Sequence, residues 1–156
     1  MDCRDFKPAG GIAAAAVVPA GAAACGTPAQ VAAAARPLPL IDDMSFYEER
    51  TDASSGIALI EHRLSLVIPR EYAATLLEGD TAALWSACGT AAVVDTVSGE
   101  RLTVGCSERF GAQQPLRLVA VDFTTGDSPR TVPAATLLFT SFDTSPAARS
   151  RTPAAH

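Results

Sequence analysis

Two histidines and four cysteines are the side chains in this sequence best suited to chemistry, and their spacing decides against most of it. Cys3, Cys25, Cys88 and Cys106 lie far apart, with no C-x-x-C pair to begin a zinc site or a dithiol centre. Cys88, at the end of a helical segment, and Cys106, in a strand, read as small buried apolar residues, and a reducing compartment is favoured. His156 is terminal, so His62 is the sole candidate general base. A base needs a positioned partner, and His62 stands mid-strand among apolar residues, where a hydrogen-bonded core histidine is expected. The carboxylates Asp42, Asp43, Glu48 and Glu49 lack D-x-D-x-D-G spacing and a supporting histidine, and read as a solvated loop or a contact between subunits. No G-x-S-x-G elbow, Walker loop, G-x-G-x-x-G or H-E-x-x-H is present. The expectation is a protein that is not an enzyme and holds no cofactor or metal.

The elements that position these residues are organised around Gly56 to Gly89. From Ile57 to Ile68 the residues alternate: Ala58, Ile60, Leu64, Leu66 and Ile68 share one face with His62, while Ile57, Leu59, Glu61, Arg63, Ser65 and Val67 form a mixed second face. Pro69 ends the strand and suits the start of a helix. Tyr72, Leu76 and Leu77 then mark one helical face, Gly79 a left-handed stop, and Asp80 or Thr81 the cap of a second short helix that ends at Gly89. Trp85, the single tryptophan, reads as a lid over a sheet. Upstream, residues 38–41 read as a short edge strand and about 44–51 as a strand with Met44, Phe46 and Glu48 on one side. The turn residues 51–56 fold it back as a hairpin onto the long strand. Ser98-Gly99 joins two alternating runs, one with Val93 and Val97, the other with Leu102, Val104 and Cys106. Leu116–Phe123 is a further strand, with Val119, Val121 and Phe123 on one face and Leu118 and Ala120 on the other. In the last, Thr131–Phe142, Thr136, Leu138, Thr140 and Phe142 alternate against Leu137 and Phe139.

The 156 residues fit one β-rich domain over 1–143, with an alanine-rich insert at 20–36 that is partly helical or mobile. Residues 144–156 hold no core former and are expected to be disordered in the isolated subunit. The net charge is -5, the only lysine is Lys7, and no arginines cluster, which argues against tight duplex binding. Residues 10–25 imitate a signal segment ending at a lipoprotein-type Ala-Ala-Ala-Cys25. Asp2 and Asp5 cancel the charge of Arg4 and Lys7, and Pro19 and Gly21 break the apolar run, so a strand from Ile12 to Val18 is preferred to export. The run is also too short to span a bilayer.

Several pieces together resemble the tail tube and related tail structural proteins of tailed bacteriophages and prophages. They are Ser55-Gly56 before the strand Ile57 to Ile68, the helix Pro69 to Cys88, the Ser98-Gly99 hairpin with Arg101-Leu-Thr-Val-Gly105, the strand Pro115-Leu-Arg-Leu118 and the closing Thr136 to Phe142. The resemblance covers roughly residues 40–143, with 10–18 as an extra strand. It implies an antiparallel β-sandwich or half-barrel with one short flanking helical segment at about 69–88. It also implies a hexameric ring whose inner strands form one barrel around a DNA channel, rings that stack into a tube, other tail proteins as partners, and residence in a virion tail after synthesis in the host cytoplasm. Glu61, Arg63, Ser65, Glu48, Arg50 and Arg101 are the candidate inter-subunit or lumen-facing residues. An acidic subunit suits passage of DNA without tight binding. A tail terminator or neck ring protein shares the general fold, and an exported lipoprotein or surface binding domain processed at Cys25 is the alternative from a different class.

Overall fold

The computed structural model describes residues 11–19, 28–41, 44–52, 59–105, 108–109, 112–113, 115–125, 133–143 and 148–151. In chain order the elements are β1 (Ile12–Val17), α1 (Pro28–Ala34), β2 (Arg36–Leu38), β3 (Phe46–Asp52), β4 (Leu59–Pro69), α2 (Arg70–Leu76), α3 (Thr81–Ala87), β5 (Ala92–Thr96), β6 (Glu100–Val104), β7 (Glu108–Arg109), β8 (Ala112–Gln113), β9 (Arg117–Thr124), β10 (Ala134–Asp143) and β11 (Ala148–Arg151). The fold is mainly β, an antiparallel sandwich. Sheet A runs β11-β6-β5-β1-β2, sheet B runs β3-β4-β10-β9, and β7 and β8 form a separate ribbon.

Strand β4 sits inside sheet B, between β3 and β10. His62, Leu64, Leu66 and Ile68 turn to the core as the alternation predicts, opposite Ala15, Val17, Val94, Leu102 and Val104 of sheet A. Each fully buried leucine, isoleucine or phenylalanine of this layer contributes about 1.5–3 kcal/mol of transfer free energy. On β10, Ala135, Leu137 and Phe139 are fully buried while Thr136, Leu138 and Thr140 are half-buried, again as the alternation predicts. On β9 the predicted faces are not observed. The register shifts at Leu138/Phe139, so Leu118 and Val121 both reach the core and Val119 turns out. A bulge inserts one residue and inverts the alternation beyond it.

Helices α2 and α3 close one end of the sandwich, separated at Gly79, which takes φ +66°. Ala73, Leu76 and Leu77 form the inward face of α2, and Tyr72 is exposed, one step around the helix from its predicted position. Trp85 is buried as expected, edge-on to Phe139 at 5.6 Å, with Nε1 donating to the Val18 carbonyl at 3.3 Å. Cys88 is free and exposed, contrary to its reading as a core residue. Ala82 and Trp85 define the inward face of α3, and Cys88 follows at its C-cap.

The insert carries α1, whose Val31, with Ala35 just beyond its end, covers Val18, Ala91 and Val93 on the far side of sheet A. Val93 thus serves a second small core, on the face opposite Leu102. The remainder of the insert, 20–27, lies outside the described residues, as do Cys3, Cys25, Cys106, Asp42, Asp43 and most of the 51–56 turn. The expected disorder of 144–156 is corrected at one place: β11 pairs antiparallel with β6 from Thr103 to Glu100. Strand addition at an open edge uses backbone groups, so a segment with no core former can still be held.

Candidate functional site

The β3–β4 hairpin, paired from Phe46↔Ser65 to Asp52↔Leu59, places the residues with most chemical potential on its two faces. Inward lie Tyr47, Glu49 and His62. His62 is 3% exposed, its Nδ1 2.6 Å from the Tyr47 hydroxyl and 4.0 Å from Glu49 Oε1, and that hydroxyl donates to Glu49 at 2.8 Å. An ionised carboxylate only accepts, so the single phenolic hydrogen goes to Glu49 and Nδ1–H donates to the phenol oxygen. The relay runs from imidazole to phenol to carboxylate. This is the hydrogen-bonded core histidine the sequence predicts. The ring is too deeply enclosed to meet a substrate without parting the sheets.

Above the relay a cleft of about 440 Å³ opens between β3 and the lower end of sheet A. Glu48 and Glu49 stand on one wall, and Thr96, Ser98 and Glu100 on the other. Carboxylates and hydroxyls of this kind suit a cation. Among the described residues no group of three or more His, Cys, Asp or Glu side chains is arranged to hold a metal ion.

Outward on the same hairpin, Glu48 stands directly opposite Arg63, and Arg50 opposite Glu61. Arg63 Nη1 donates to Glu48 Oε1 at 3.2 Å. Its Nε lies 3.4 Å from Glu61 Oε1 but outside hydrogen-bond geometry, so that contact is electrostatic only. Opposite charges placed directly across a pair of strands stabilise it by roughly 0.2–1 kcal/mol. Ser65, predicted to join this surface, is only 5% exposed. Its cross-strand neighbours Phe46 and Leu138 are far larger and close over it. Arg101 is on sheet A instead, on the α1 side, where Nε and Nη2 grip Asp95 at 2.7 and 2.9 Å. The hydrogen bond to Asp95 holds the Arg101 pKa above its ordinary value, against the opposing effect of burial.

The six residues singled out by sequence therefore occupy three places: four on the outer face of sheet B, one beneath that face, and one on sheet A. Tyr47 and Glu49, the partners of His62, carried a signal in the alternation that puts them opposite Phe46 and Glu48. Naming them required the hairpin register. No protein-family model, curated protein or solved structure matches the chain. Among the described residues no helix is long and apolar enough to cross a membrane.

Proposed function

We propose that the chain is a structural, non-enzymatic subunit of a phage or phage-like tail, most simply of the tail tube, which assembles with copies of itself into rings that stack around a DNA channel. One observation carries the reading: sheet B has an outer face without a covering helix among the described residues, and the edge strands β3 and β9. Its four strands are all antiparallel, so β9 of one copy and β3 of the next run antiparallel when copies are related by rotation. Six copies of a four-stranded sheet make a barrel of 24 strands. At about 4.8 Å per strand and a tilt of roughly 40°, such a barrel is about 48 Å across between backbones. Side chains leave a bore wide enough for duplex DNA. Closure also removes the exposed edges, which otherwise invite uncontrolled pairing.

The charge of the face fits the role. Glu48 and Glu61 balance Arg50 and Arg63, so a lumen lined by this surface has no basic stripe to retain phosphate. The resemblance described for residues 40–143 supports the same reading. Other tail proteins would meet the ends of the tube, and a terminator or neck subunit of the same fold would form single rings. Size-exclusion chromatography with light scattering, followed by negative-stain microscopy, tests the proposal. Rings or tubes are expected, and a particle that stays monomeric over roughly a hundredfold range of concentration refutes it.

A further inference from the structure

Arg50 is the one cation of β3 and Asp122 the one carboxylate of β9. Both are exposed, and among the described residues neither side chain has a hydrogen-bond or ion-pair partner. Glu61, across the ladder from Arg50, lies 3.4 Å from Arg63 Nε instead, and Glu48 accepts from Arg63 Nη1 at 3.2 Å. The cation of β9, Arg117, turns onto the carbonyls of Ser86 and Ala87. Two opposite charges are thus left open, one on each outer strand of sheet B.

The ladder fixes how the backbone is turned at each of them. Val67 N–H donates to Ser45 Oγ at 2.9 Å and its carbonyl accepts from Ile41 N–H at 2.9 Å, so the odd-numbered residues of β4 turn their backbone groups to the β3 side. Backbone groups alternate sides along a strand. Arg50, opposite Glu61, is therefore bonded towards β4, and Thr51 turns to the open edge. Arg70 N–H donates to the Pro133 carbonyl at 3.0 Å, which turns the even-numbered residues of β10 towards β9. Asp122, opposite Thr136, is therefore bonded towards β10, and Val121 turns to the open edge. Arg50 and Asp122 share one backbone phase and one face. An antiparallel ladder between the two edges makes Thr51 and Val121 a hydrogen-bonded pair and sets Arg50 opposite Asp122 in the adjoining pair, where Cα atoms are only about 4.5 Å apart. A guanidinium and a carboxylate brought together there can bond in a bidentate fork. A slip of two residues, the smallest that keeps each face outward, brings Glu48 or Asp52 opposite Asp122. Like charges directly opposite destabilise a strand pair.

We infer that β3 of one copy and β9 of the next pair in this single register, with Arg50 of one copy opposite Asp122 of the other. The inference rests on the ring reading and deepens it, because it names the two residues that select the contact between subunits. Opposite charge favours the one register and like charge opposes its two neighbours, so the same pair supplies both attraction and discrimination.

The test uses charge reversal in the full chain. Wild type, Arg50→Asp, Asp122→Arg, the double variant Arg50→Asp, Asp122→Arg, and the control Glu78→Arg are compared by light scattering across a concentration series, with circular dichroism on the same samples to verify folding. Each single reversal replaces an attraction by a repulsion, so each should raise the concentration needed for assembly by about tenfold or more. The control should assemble as wild type does. The double variant should assemble within about threefold of wild type, and so should a one-to-one mixture of the two single variants. In that mixture each contact joins one copy of each kind and again sets opposite charges face to face, a rescue that unfolded protein could not give. Single variants that assemble like wild type, or a double variant and mixture that stay as weak as the single variants, overturn the inference while leaving the ring reading in place. A wild type that never assembles overturns both.

Discussion

The carbonyl of Val18 offers a sharp test of how the two sheets and the helical end are joined. It accepts from Trp85 Nε1 at 3.3 Å and from Thr90 Oγ1 at 2.8 Å, and Val18 and Thr90 are each only 1% exposed. Trp85→Phe keeps the edge-on contact with Phe139 but removes one donor and part of the indole. About 1 kcal/mol follows from the lost hydrogen bond and about 1 more from the cavity. The carbonyl still has Thr90, so no buried acceptor is orphaned. Thr90→Val alone should cost about 1 kcal/mol, because Trp85 then serves the carbonyl. The double variant leaves the acceptor with neither side chain, adding the desolvation penalty of a buried group, about 1–3 kcal/mol beyond the sum of the single effects. Urea denaturation followed by far-ultraviolet circular dichroism measures all four corners of the cycle without relying on tryptophan fluorescence. Effects that add to within about 0.5 kcal/mol would show that the two donors do not share this carbonyl, or that water replaces both.

Two further expectations concern the backbone and the buried relay. Gly99 and Gly105 both have positive φ, +91° and +93°, but a Cβ on Gly99 meets nothing within 4 Å, whereas one on Gly105 lies 2.6 Å from the Thr90 carbonyl oxygen. Gly99→Ala should therefore cost about 1 kcal/mol of backbone strain, and Gly105→Ala clearly more because rigid backbone must also move; equal losses in denaturation midpoints would refute the distinction. Tyr47→Phe removes the centre of the relay and should destabilise by about 1–3 kcal/mol, while His62→Gln, which keeps a polar side chain there, should leave any assembly largely intact. Microscopy showing loss of assembly in folded His62→Gln protein would contradict its role as a core residue.

What was legible in the sequence was whatever rested on alternation alone. Leu137 and Phe139 against Thr136 and Thr140, and Leu64, Leu66 and Ile68 around His62, face as their spacing predicts because both strands are interior to sheet B and unbroken there. Ser98-Gly99 was legible because the turn needs a residue at φ +91° and glycine accepts it without strain. Strand β9 failed for a local reason, a bulge whose position leaves no mark in composition. The strand 148–151 was missed because edge pairing uses backbone rather than side chains. The partners of His62 needed the β3–β4 register, and the turn residues 51–56 admit more than one loop length. In α1 the signal was slight: Val31 is the one large apolar residue in an alanine run, and it is the residue that seals the second core.

The two outer faces of the sandwich differ in a way that follows from side-chain size and charge. On sheet A the outward residues near α1 are Ala16, Ala91 and Val93, small enough for a short alanine-rich helix to lie close, with Val31 filling what remains. Burial there orders few rotamer-rich side chains, so even a seven-residue helix of little intrinsic stability is retained. On sheet B the corresponding positions hold Glu48, Arg50, Glu61 and Arg63, flanked by Phe46 at 44% and Phe142 at 45% exposure. A covering helix would have to desolvate four charges whose pairing at the surface is worth little, a loss no short apolar face offsets. Water or a polyelectrolyte that keeps its own hydration can meet such a surface without that loss. The sequence therefore assigns the small, neutral face to the interior economy of the subunit and the charged, rimmed face to the outside, and that division is what makes a sheet B with no covering helix among the described residues compatible with a stable fold.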